Sequence, residues 1–136
     1  MVQSAELGKE VVVTVVNKIG VLNDMSKLLA EHGLNIEAVA GYTTAANEAK
    51  IMLVTNDNLR AVDALKKAGY KGAKENPVIV LVLENKPGAL KIITAKLASE
   101  DIDIKYIYGT TCSGDFPAKI VISTSDDEKA LVGFKK

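Results

Sequence analysis

Tryptophan is absent from this 136-residue chain, cysteine and histidine occur once each, and only 4% of the residues are aromatic. A single thiol, Cys112, forms neither an internal disulfide nor a thiolate metal cluster, and it fits a reducing compartment. Arginine is also single. Arg60 is the one guanidinium among 17 basic side chains, so bidentate reading of guanine or phosphate is hardly available. Those cations are balanced by 17 acidic residues, which leaves no large positive field to gather nucleic acid or anionic lipid. No apolar run approaches the roughly 18 residues needed to span a bilayer. Residues 1–7 lack the charged-then-apolar layout of a secretory signal. The expectation is a cytoplasmic protein with no nucleic-acid and no membrane partner. What the chain does have is aliphatic: 48% of its residues are apolar, enough to fill the core of one compact domain or two very small ones.

An internal repeat organises the rest. Shifting the chain on itself by about 68 positions lays Asn17-Lys18-Ile19-Gly20-Val21-Leu22 over Asn85-Lys86-Pro87-Gly88-Ala89-Leu90. Leu29-Ala30 then falls on Leu97-Ala98, and Ile36, Gly41 and Thr43 fall on Ile104, Gly109 and Thr111. After one inserted residue, Ala49-Lys50-Ile51 falls on Ala118-Lys119-Ile120, and Asp57 on Asp126.

Each copy reads as the same series of elements. Val11 to Val16 and Val78 to Leu83 are β-branched apolar runs, as expected of strands buried in a sheet. Val21, Leu22, Met25, Leu28 and Leu29 recur at helical spacing, as do Ala89, Leu90, Ile93 and Leu97. These helices should end near Gly33 and Asp101. Leu34 to Thr44 and Ile102 to Cys112 return as strands, and third strands follow at Ala49 to Thr55 and Ala118 to Thr124. Asp57 and Asp126 are expected to cap second helices, the first of which stops at Gly69. The order is that of an α+β, ferredoxin-like βαββαβ unit, repeated in tandem over residues 1–76 and 77–136. In the first copy Lys71 to Glu75 is the candidate fourth strand. The second copy shows no clear final strand, so something else must cover the edge beside Val78 to Leu83. The candidates are Val2 to Leu7 or another subunit.

The first turn of each copy carries a resemblance. Asn85-Lys86-Pro87-Gly88-Ala89-Leu90 resembles the (Asp/Asn)-x-Pro-Gly-x-(Leu/Ile) signature of the ACT domain family, and Asn17 to Leu22 is similar with Ile19 in place of proline. Gly33 to Ile36, Gly-Leu-Asn-Ile, also matches a stretch that often opens the second strand in such domains. The turn's chemistry can be argued apart from the family. Glycine lets the backbone approach a ligand closely, the first N–H groups of the following helix suit a carboxylate, and an asparagine amide both donates and accepts.

The resemblance implies a free amino acid as ligand, held by this loop and by a neighbouring ACT unit. One helix of about twelve residues holds Asn17 and Asn35 some 18 Å apart, too far to share a small molecule. If two units join second strand to second strand, as the family often does, crossed sites are expected. One combines Asn85, Pro87, Gly88, Ala89 and Leu90 with Asn35. The other combines Asn17, Gly20, Val21 and Leu22 with Asp103, which replaces the more family-like asparagine. The first keeps proline, glycine and both asparagines and is preferred.

Single residues have plainer roles beside these. His32 sits at a helix C-terminus where the dipole favours a cation, and Cys112 reads as a passive small side chain. Tyr106 and Tyr108 alternate with Ile107 and so share a face.

No Ser-His-Asp, Walker, paired-cysteine or metal-ligand arrangement is present, and no cofactor or metal is expected. Acylphosphatases share the fold but resemble a pattern with an arginine in the first strand-to-helix loop, whereas Arg60 lies in the second helix. The chain is therefore expected to be a non-catalytic regulatory module that binds a free amino acid between ACT repeats or subunits. It would work as a homodimer or higher homo-oligomer and pass its signal to an enzyme the sequence does not reveal. The alternative is an oligomerisation domain that has lost its ligand.

Overall fold

The computed structural model describes residues 2–111 and 114–135, so the expectation for Cys112 lies outside the described residues. The elements are β1 (Val2–Val16), α1 (Val21–Glu31), β2 (Ile36–Ala45), β3 (Glu48–Thr55), α2 (Asn58–Lys67), β4 (Lys74–Leu83), α3 (Ala89–Ser99), β5 (Ile104–Thr110), β6 (Ala118–Thr124) and α4 (Asp127–Phe134). This is the α+β order of tandem ferredoxin-like repeats.

The chain clusters into two compact units, Lys9–Asn76 and residues 2–8 together with 77–135. In the first unit β3 lies between β2 and β1, antiparallel to both, and the leading residues of β4 fall in the same unit. In the second, β6 lies antiparallel between β5 and β4, and the leading residues of β1 belong to it, β1 being the neighbour of β4. Residues 2–8 thus lie with the second repeat and cover the edge beside Val78–Leu83. Gly8 approaches so closely that a Cβ there would meet Val80 Cγ2 at 3.1 Å. The fourth strand of the first unit is not a separate segment at Lys71 to Glu75. The Ala73 N–H donates to the Tyr70 carbonyl, closing a turn, and the strand starts at Lys74 and runs on into the second repeat.

Each unit buries its own apolar core between helices and sheet. Val11, Val13, Met25, Leu29, Leu53 and Leu65 are the centre of the first. Ile79, Leu81, Ile93, Leu97 and Ile122 are the centre of the second, with Val2 and Ala5 packed against it. Burying side chains of this size favours folding by about 1.5–3 kcal/mol each. On α1 the buried residues are Val21, Met25 and Leu29, and on α3 Ala89, Ile93 and Leu97, so one residue per turn faces the sheet. Leu22 and Leu90, equally apolar, stay 46% and 48% exposed. Glu10, beside the β1 apolar run, is buried and accepts a hydrogen bond from the Asn76 amide at 2.9 Å.

The duplication extends to hydrogen bonds. Asp57 accepts from the Arg60 N–H, and Asp126 from the Lys129 N–H, each capping its helix as expected. Thr55 and Thr124 donate N–H and hydroxyl to Asn58 and Asp127 in the same way. Arg60 reaches the carbonyl of His32 at 2.7 Å, and Lys129 that of Glu100 at 2.9 Å, so a cation on each second helix neutralises the C-terminus of the first. Gly33 (φ 70°) and Asp101 (φ 58°) hold the same left-handed position after α1 and α3.

Replacing either aspartate cap by alanine removes one side-chain acceptor at a helix start. Asp57→Ala and Asp126→Ala should each lower the unfolding free energy by about 1 kcal/mol, read from urea denaturation curves.

Candidate functional site

The turns after β1 and β4 are shaped by glycine. Gly20 and Gly88, at φ 91° and 88°, are the left-handed N-caps of α1 and α3, a conformation that costs an L side chain roughly 1–2 kcal/mol. Val21 N–H donates back to the Lys18 carbonyl at 3.3 Å and Ala89 N–H to that of Lys86 at 3.2 Å. The donors left for an anion at each helix start therefore begin one residue later, at Leu22 and Leu90.

In the first repeat this turn borders an open groove of about 390 Å³, lined by Asn17 and Leu22, by Val39 to Thr43 of β2, and by Ala49 and Ile51 of β3. That volume lies in the usual range of ligand clefts, roughly 300–1,000 Å³. Cross-strand pairing explains the lining. Val39, Gly41 and Thr43 stand opposite Leu53, Ile51 and Ala49, so they share the helix-covered face of the sheet. The helices leave them uncovered: Val39 is 51% exposed although Leu53 beside it is fully buried. Gly41 keeps the floor low, because a Cβ there would sit 3.6 Å from Ile51 Cγ1. The Asn17 N–H is held by the Asn47 carbonyl at 3.0 Å, and among the described residues its side-chain amide makes no hydrogen bond.

The second repeat has the same parts in a different arrangement. Gly109 pairs with Ile120 as Gly41 does with Ile51, but a Cβ at Gly109 would meet the Lys119 carbonyl oxygen at 2.7 Å and overlap the Ile120 δ-methyl. The Asn85 amide donates to the Gly114 carbonyl at 3.4 Å. Lys86 Nζ lies 2.7 Å from Glu84, and the hydrogen bond and charge of Lys86 hold the Glu84 carboxyl below its ordinary pKa. Tyr106 and Tyr108 stack at 6.4 Å between ring centroids, on the face opposite Ile107, which pairs with buried Ile122.

Asn35 and Asp103 stand at the far end of their units from these turns. The Asn35 N–H donates to Asn56 Oδ1 at 2.8 Å and its carbonyl accepts from the Asn56 N–H at 3.2 Å. Asp103 does the same with Ser125, both bonds at 2.9 Å. Their backbones thus tie the second strands to the loops after the third. Among the described residues β2 pairs with β3 and β5 with β6, each as the outermost strand of its unit. His32 Nδ1 lies 2.9 Å from the Leu28 carbonyl. Among the described residues no three His, Cys, Asp or Glu side chains are placed to hold a metal ion, and no helix is long and apolar enough to cross a membrane.

Reasoning from sequence put Asn17, Gly20, Val21 and Leu22 with Asp103 at one candidate site and preferred the other, Asn85 and Pro87 to Leu90 with Asn35; of these residues Asn17 and Leu22 line the groove. It missed Val39, Tyr42, Thr43, Ala49 and Ile51. The pairing of Gly41 with Gly109 in the repeat was the available signal, since a glycine inside a strand marks close approach or open space.

Residues 11–69 match the model of the AHAS small subunit-like ACT domain. Over those residues the first repeat is an ACT domain, and the second repeat copies its order of elements. No curated protein matches the sequence. Among solved structures, protein BT0572 from Bacteroides thetaiotaomicron is 25% identical, with 96% of this chain and 88% of that one covered and a TM-score of 0.87. The ligand-free regulatory subunit of aspartate kinase from Thermus thermophilus is 13% identical, covering 98% of this chain and 96% of that one, at a TM-score of 0.68. The corresponding subunit from Thermus flavus is 15% identical with the same coverage, at a TM-score of 0.60. At these identities the two subunits testify to the fold.

The unequal glycine environments make a direct comparison available. Gly109→Ala should cost roughly 1–3 kcal/mol in a urea titration, because backbone and Ile120 must both move. Gly41→Ala should cost less than about 1 kcal/mol, its Cβ meeting ordinary van der Waals distances.

Proposed function

We propose that this chain is a non-catalytic regulatory module that binds a free amino acid at the interface between ACT units of two subunits. The observation that carries the reading is the groove against the Asn17 to Leu22 turn. There an unpaired asparagine amide and helix N–H groups stand beside the apolar wall of Leu22, Val39 and Ile51. A zwitterion suits that division, its carboxylate on the helix start and its side chain on the wall. The match to the ACT domain of AHAS small subunits supports a regulatory role, and the structural similarity to regulatory subunits of aspartate kinase is in keeping with action on an enzyme.

Since β2 and β5 are the outermost strands, the crossed arrangement of loop and second strand is formed by a second copy, which brings Asn35 or Asp103 to the loop of its neighbour. The assembly is then a homodimer or larger, set in the cytoplasm. The amino acid acts by binding two arrangements of the subunits unequally, which shifts their populations.

Thermal denaturation of the full chain with each of the twenty amino acids tests this. A true ligand at about 100 times its dissociation constant adds about 2.7 kcal/mol to stability. Asn17→Ala should weaken that ligand by roughly ten- to a hundredfold, the loss of a hydrogen bond to a charged group. A chain unmoved by all twenty would instead be an oligomerisation domain without a ligand.

A further inference from the structure

We infer that only the first repeat takes the ligand, because in the second the Ile120 side chain occupies the place that the groove holds open in the first. This rests on the amino-acid reading above and sets its stoichiometry at one ligand per chain. The two repeats offer equivalent positions, so they can be compared atom for atom. At Gly41 the nearest side-chain and backbone atoms, Ile51 Cγ1 and the Lys50 carbonyl oxygen, both stand 3.6 Å from where a Cβ would be. At Gly109 the Lys119 carbonyl stands at 2.7 Å and the Ile120 δ-methyl lies across the glycine itself. A strand glycine that provides room in β2 is packed over in β5.

Two further contrasts point the same way. The amide of Asn17 makes no hydrogen bond among the described residues, whereas that of Asn85 is turned to the Gly114 carbonyl on the β5–β6 connection. The loop lysine of the second repeat is held by Glu84, where the first repeat has the exposed Val16. The proline-containing motif, the better match by sequence, thus belongs to the repeat whose groove is filled. It serves there as a rigid strand-to-helix connection.

The test is amide NMR of the full ¹⁵N-labelled chain, titrated with an equimolar pool of the twenty amino acids. Saturable shifts at Gly20, Leu22 and Gly41 are expected, at concentrations at least about tenfold below any response at Gly88, Leu90 and Gly109. Ile120→Ala should then bring Gly88, Leu90 and Gly109 into the responding set and double the bound ligand. Equal responses in both repeats of the unaltered chain, or responses in the second alone, overturn this inference while leaving amino-acid binding intact. A silent second repeat in Ile120→Ala overturns the role given to Ile120. No response at any amide overturns the binding reading and this inference together.

Discussion

A repeat that supplies only three strands leaves one side of its sheet open, and an open apolar edge associates with whatever strand is at hand. Val11 to Val15 and Val78 to Leu83 are such strands, and each contributes buried side chains to the core of a unit. Both gaps are closed by extending these same two strands. β1 begins with residues that complete the second unit before it enters the first, and β4 begins with residues of the first before it enters the second. With these edges filled, β2 and β5 are the outermost strands of their units, and the groove of the first unit lies beside β2.

Much of this was legible from residues. The repeat fixed the element order, the aspartates after the third strands announced helix starts, and Gly20, in a left-handed N-cap, marked a turn that a side chain would strain. The exchange of leading segments was harder to see. Residues 2–8 lack the β-branched density of Val11 to Val16, yet both belong to one strand of 15 residues. Once a neighbour on β4 was available, pairing overrode local preference. The groove was hidden by parity. A bulge between Ile36 and Ala38 changes which face later residues take, so counting alternately from core-facing Ile36 assigns Val39 to the wrong side. The same irregularity between Ile104 and Tyr106 decides where Ile107 points. A sequence gives alternation within a strand and says little about a slipped residue.

The two helix starts show how one motif serves two ends. In both repeats glycine turns the chain from strand to helix, and in both the first N–H is satisfied locally. What differs is the company: Leu22 borders open space floored by Gly41, and Leu90 belongs to a repeat in which an isoleucine covers the equivalent glycine. Similarity to a family signature therefore reports on the turn, while the open space beside it depends on residues some twenty positions further on. Function on such a scaffold resides in the site and has to be argued there.

The shared strand β1 also shapes the order in which contacts can form. Residues 2–8 have their neighbour in β4, which lies far along the sequence and ends at Leu83. Lys9 to Asn76 form a unit of their own around Met25, Leu29 and Leu65, whereas residues 2–8 find a place in a sheet only beside β4. Contacts of such long sequence separation form late and slowly. Exposed Gln3, Ser4 and Glu6 stand among half-buried Val2 and Ala5, so that stretch carries polar side chains that work against self-association while it is unpaired.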